Sequence, residues 1–311
     1  MSLIGIASLT QNWAGIPPPL TPGGGGGGGG GGTPNVKSVT WWEDRYSLSG
    51  DLSSNDTDSK AGDLFRMYPL AYTIDGNTAM YRATGKTVYL DRALYYVKNV
   101  IDRAKVSNNA NFPNSNFKDG YLGWVGTSVY GSNVQGEELP LFDFYFWRYV
   151  AILIDAMEGQ AGNSATGASY ATRRADLIAW TEENIWEKWW SRGPNSQMYR
   201  SVLHITAHAC IVALVGLRVF ASPTNRSQCQ QFLDNCNHIG IPTAAGFGSG
   251  RTFRTQLRTY PHPVHGSSVA FWPAFWTASD ARNGTDTSHG SAVVTYLVEA
   301  MRRGYGGWLQ S

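Results

Sequence analysis

Charge is scarce in this 311-residue chain, and from Met1 to Pro34 it is absent. Only 15% of residues are Asp, Glu, Lys or Arg and the net charge is +2, a balance that excludes a nucleic-acid binder driven by phosphate neutralisation. No basic run interleaved with aromatics changes that. Cysteine is equally sparse. Cys210, Cys229 and Cys236 form no CxxC pair, and Cys229 and Cys236, seven apart on a helix, would lie about 10 Å from each other, beyond disulfide reach. Cys210 falls in the apolar run 209–214 and reads as a small core residue. No apolar run approaches the length that spans a bilayer, so no membrane segment is expected. The first ten residues lack basic side chains ahead of their short apolar stretch, so a secretory signal is not expected either.

What the chain has instead is glycine. Gly23 to Gly32 form an unbroken run of ten, between a head with Trp13 and the prolines 17–19 and a body that carries every ionisable side chain. Fixing ten glycines costs on the order of 10–20 kcal/mol of backbone entropy, against about 1 kcal/mol returned per net hydrogen bond. The run is therefore either a limp tether or a polyproline-II-like strand packed against neighbours, where the lack of side chains permits close approach. We expect the second: residues 1–34 form an extended Pro/Gly-rich anchor held by other copies of the chain or by a larger assembly such as a virion or filament.

Residues 35–60 are polar and turn-rich and read as a connecting loop. Residues 61–311 carry helical periodicity and read as one domain, with weak strand signals. Leu64, Met67, Tyr68, Ala71 and Ile74 recur at helical spacing from Asp63, and Gly85 is a natural C-cap, with Pro69 expected to kink or split the helix between them. Further helices are expected at 88–105, 139–157, 170–189, 198–220, 226–236, 269–279 and 288–302. Val106 to Val134 and Gly240 to Gly266 read as long loops, and loops of that length are usually functional. The expected fold is all-α, a stack of helical hairpins.

The phrase Tyr81-Arg82-Ala83-Thr84-Gly85-Lys86-Thr87-Val88-Tyr89-Leu90-Asp91-Arg92-Ala93 resembles the joint between hairpins of (α/α)-toroid carbohydrate enzymes. The segment from Asp286 to Ala300 looks like the final helix of the same group, which includes polysaccharide lyases and uronyl C5-epimerases. The resemblance covers about residues 60–305 and implies an incomplete toroid that handles polysaccharide without a cofactor.

Candidate chemistry lies in several places. His204 and His208, i and i+4 on an expected helix, share a face. They are candidate catalytic groups rather than a zinc site, because Ile205 stands where the HExxH motif needs Glu. His289 falls in the first turn of the last helix, where the positive helix end lowers an imidazole pKa and suits a base. Arg251, Arg254, Arg258, Tyr260, His262 and His265 crowd one loop, and a guanidinium fork matches a carboxylated sugar. Arg200, Arg254 and Arg258 are thus candidate substrate ligands and Tyr260 a candidate acid. Glu138 is an acidic candidate, and Trp124, Tyr130, Trp272 and Trp276 are candidate stacking rings among 12 Trp and 16 Tyr. The leading expectation is β-elimination on an acidic polysaccharide. A non-catalytic glycan-binding or structural component of an assembly is the alternative, and a glycoside hydrolase stands third.

Removal of five of the ten glycines is expected to lower the assembled mass measured by light scattering. An unchanged mass means that the run is only a linker.

Overall fold

A computed structural model describes residues 37–48, 52–127, 135–261, 268–277 and 287–308. The anchor and its glycine run, Tyr130, His262, His265 and Asp286 lie outside these residues. The described chain is mostly helical: α1 (Val39–Leu48), α2 (Leu52–Ser59), α3 (Leu64–Thr84), α4 (Thr87–Asp102), α5 (Pro140–Ala156), α6 (Tyr170–Thr181), α7 (Leu203–Val219), α8 (Pro223–Asp234) and α9 (Thr287–Arg302). Two short antiparallel pairs accompany them, β1 (Lys105–Val106) with β2 (Leu122–Gly123) and β3 (Arg258–Pro261) with β4 (Ser268–Phe271).

Four helices form the inner layer: α3 packs on α5, α5 on α7, and α7 on α9. Their last turns meet in one charge network. Arg218 at the end of α7 binds Asp155 at the end of α5 at 2.5 Å, Arg303 just after α9 binds the same Asp155, and Arg82 near the end of α3 donates to the Ile152 carbonyl of α5 at 3.4 Å. The four helices therefore run in the same direction. Helices α4 and α8 return antiparallel after short turns. The first turn is made by Gly85, whose φ of 70° is open to glycine and whose N–H caps the Tyr81 carbonyl at 2.7 Å. In the second, Ser222 caps α8 and Glu182 accepts from the Ala221 and Ser222 amides at 2.7 and 2.8 Å.

One hydrophobic core runs from Leu64 to Ala300. Its central feature is a tryptophan stack, Trp124 on Trp147 at 5.2 Å and Trp147 on Trp180 at 4.7 Å. The stack pins the loop after α4 onto α5 and α6. A buried ion network does the same from the other side. Lys188 Nζ sits 2.6 Å from Asp143 Oδ2, both side chains being fully enclosed, and Trp189 Nε1 donates to the same oxygen at 2.9 Å. Glu138 accepts from Ser107 at 2.6 Å, Ser115 at 2.8 Å and Arg192 at 3.1 Å. This network holds the β1–β2 loop onto the start of α5.

Three expectations need correction. Residues 39–48 and 52–59 are helices, not loop. The second is a poor helix former by composition, and it is held by tertiary bonds: Tyr95 Oη to Asp56 at 2.6 Å, Thr73 to Asn55 at 3.0 Å and Asn99 to Ser59 at 3.0 Å. Pro69 does not split α3, which runs unbroken from Leu64 to Thr84 with the proline inside it. Residues 268–271 form strand β4 rather than the start of a helix, since β3 supplies a ladder for them.

Asp143→Ala leaves Lys188 as an uncompensated buried charge and is expected to cost about 3–5 kcal/mol in urea unfolding. The double change Asp143→Leu with Lys188→Met removes both charges, and most of the stability should return.

Candidate functional site

The N-terminal ends of the four inner helices enclose a cavity of about 210 Å³. Its wall repeats a simple rule. The second and sixth residues of three helices face it: Phe65 and Pro69 of α3, Leu141 and Tyr145 of α5, His204 and His208 of α7. Spacing of i and i+4 places each pair on one face, so parallel helices packed side by side present all three pairs to the same space. Tyr68, Phe142 and His289, the third residue of α9, complete the lining.

The imidazoles converge. His204 lies 5.7 Å from His208 and 4.2 Å from His289, ring centre to ring centre. Aromatic rings fix them from the other side: Tyr145 meets His208 edge-on at 5.1 Å, and Tyr68 stacks on Tyr145 at 4.0 Å with the planes 6° apart. Among the described residues no carboxylate lines the cavity, and no trio of His, Cys, Asp or Glu is arranged to hold a metal ion.

Electrostatics set the protonation of the deepest imidazole. His208 is 2% exposed. Burial, the Arg148 guanidinium, and the charges on His204 and His289 all hold it well below the ordinary imidazole range, so it is neutral at pH 7. Arg148 itself lies in the core against Tyr145 and Tyr149, 4.9 and 4.3 Å from their ring centres, and donates to the Tyr149 hydroxyl. Asp75, on α3, answers to the same guanidinium. Burial pushes its carboxyl up to about 7, with Glu299 adding to the rise and Arg148 and Arg82 opposing it.

No protein-family model, curated protein or solved structure matches this chain.

Of the residues singled out by sequence, His204, His208 and His289 are brought together, and the other described candidates stand elsewhere. Trp124 and Trp276 are core rings, the former donating to the Val100 carbonyl at 2.9 Å. Glu138 is consumed by the network at the start of α5. Trp272 donates to the Phe253 carbonyl at 2.8 Å. Arg254 stacks on Trp308 at 4.4 Å and binds the Gly307 carbonyl at 3.1 Å, while Arg200 binds the Ser196 carbonyl at 2.6 Å and Arg258 the Thr255 carbonyl at 3.4 Å. Tyr260 is exposed on β3. None of them lines the cavity.

Sequence reasoning passed over Tyr145 and Arg148. Two signals marked them: Arg148 and Asp143 are the only charges in the apolar run 141–154, and the pairing of second and sixth residues recurs at each helix start.

His208 and Asp75 pull stability in opposite directions with pH. His208 has a folded pKa below the unfolded 6.5, so the unfolded chain takes the proton first and stability is lost as pH falls below about 6.5. Asp75 has a folded pKa near 7 against 3.8 unfolded, so its contribution is complete at low pH and lost as pH rises from about 4 to 7. Urea unfolding from pH 4 to 8 should show the acid-side loss reduced in His208→Gln and the loss between pH 4 and 7 removed in Asp75→Asn.

Proposed function

We propose that this chain is a carbohydrate-active domain built as an incomplete (α/α) toroid, acting on an acidic polysaccharide by β-elimination. The observation that carries the reading is the meeting of His204, His208 and His289 in one aromatic-walled cavity at the positive ends of four helices. Each helix start contributes about half a positive charge, which favours the carboxylate of a uronate over a neutral sugar. Tyr68, Phe142 and Tyr145 offer faces and edges to a sugar ring.

In this reading the neutral His208 takes the C5 proton. The electron pair left on C5 forms the C4–C5 double bond, the C4–O4 bond breaks, and O4 leaves with a proton supplied by His204 or His289 in its protonated form. A carboxylate neutralised by the helix ends makes the C5 proton more acidic. The step needs no cofactor. A C5-epimerase would use the same proton abstraction and return the proton from the opposite face. A glycoside hydrolase is disfavoured, since that chemistry uses two carboxylates flanking the scissile bond and the cavity wall offers none among the described residues.

A second reading has its own support. The uncharged head and its ten glycines suit a component held in an assembly, with the helical domain binding glycan and leaving it intact.

Incubation with alginate, pectate and glycosaminoglycan is expected to release an unsaturated, ultraviolet-absorbing sugar from one of them. His208→Ala should lower the rate by about 100-fold or more. Deuterium uptake at C5 without chain cleavage would select the epimerase. Glycan binding without turnover, unchanged in His208→Ala and Tyr260→Phe, would select the binding module.

A further inference from the structure

We infer that Arg148 is a positioning residue of the cavity, which touches no ligand and acts on His208 from behind the Tyr145 ring. The residue is 3% exposed and forms no part of the cavity lining. Its guanidinium lies 4.9 Å from the ring centre of Tyr145 and 4.3 Å from that of Tyr149, and it donates to the Tyr149 hydroxyl. Two rings four residues apart on α5 are thus held against one cation, an attraction that strengthens where water is excluded. Tyr145 carries the constraint into the wall of the cavity. Its ring meets His208 edge-on at 5.1 Å and stacks on Tyr68 at 4.0 Å. Arg148, Tyr145 and His208 therefore follow one another from the core to the wall.

Charge gives this placement its second effect. Among the described residues the titratable or charged groups that face His208 are Arg148 and Tyr145 from α5, Tyr68 from α3, His204 from its own helix and His289 from α9. Of these only Arg148 is charged at every working pH, because a guanidinium is not deprotonated in proteins. Burial disfavours the imidazolium form of His208 first, and the guanidinium adds to that effect. Asp75 on α3 answers the guanidinium, but burial pushes its own carboxyl up to about 7, so at acid pH it cancels little of the charge. A fixed cation in the core thus sets the acid limit of the site. His208 stays able to accept a proton at pH values where an ordinary imidazole is already charged. The consequence for turnover rests on the reading of His208 as the base, whereas the effect of the cation on His208 does not.

The test follows the His208 imidazole by nuclear magnetic resonance in the full chain from pH 4 to 8, with His208→Gln to assign its signals. In the parent, His208 is expected to stay neutral well below pH 6.5. Arg148→Met and Arg148→Gln remove the charge, and the His208 midpoint should move up in both. The Met variant exchanges a buried cation for an apolar chain, so it is expected to fold. Arg148→Lys keeps a charge in place, and its midpoint should stay near that of the parent. A residue that merely filled space would leave the midpoint indifferent to charge. Where a polysaccharide is cleaved, the acid limb of the rate should move up in Arg148→Met together with His208. The inference fails if His208 of the parent titrates near 6.5, or if the neutral variants titrate like Arg148→Lys. Charge-dependent titration in a protein that cleaves no polysaccharide would remove the β-elimination reading and keep the role of Arg148. Cleavage with an acid limb that ignores Arg148 would do the reverse.

Discussion

Four helices packed side by side in the same direction repel through their dipoles, and the molecule answers this constraint differently at its two ends. At the carboxyl ends, where negative partial charge collects, Arg82, Arg218, Arg302 and Arg303 gather, with Asp155 and Glu299 tying them into a network. At the amino ends no carboxylate of the described residues lines the space between the helices. The partial charges there sum to roughly two positive units around one cavity. The end that is neutralised holds the fold, and the end left positive holds the imidazoles.

Placement of that open end depends on the loop that follows α4. The stack of Trp124, Trp147 and Trp180 and the enclosed pair of Asp143 and Lys188 fix the start of α5 from two sides. Asp143 is one residue from Phe142 and two from Tyr145, both walls of the cavity. An ion pair in so dry a setting adds little net stability. It does specify which turn of α5 faces the histidines.

Burial then divides the three imidazoles by environment. His208 lies deepest, beside a guanidinium, and stays neutral. His204 and His289 sit nearer the solvent, half-buried. The arginines of the loop 251–258 stand apart from the cavity: Arg254 and Arg258 are bound to backbone carbonyls that close the C-terminal segment and the short turn before β3.

The helices were legible because their signals are local. Helical spacing from Leu64, Gly85 as a cap and the i, i+4 placement of His204 and His208 follow from 3.6 residues per turn, and the first turn of the last helix was marked at His289. The helix at 52–59 was not legible, since its residues favour turns by themselves and are held helical by hydrogen bonds from Tyr95, Thr73 and Asn99. Strand β4 was hidden for the same reason, because a strand exists only where a partner offers a ladder. Glu138, Trp124 and Trp276 have residue types that fit a sugar site and a core equally well, and packing alone assigned them to the interior. The sequence by itself thus determined the helices and the two imidazoles on one helical face. That His289 joins them was decided only when four helices docked in parallel, because it lies more than 80 residues beyond His204 and no local periodicity encodes their meeting.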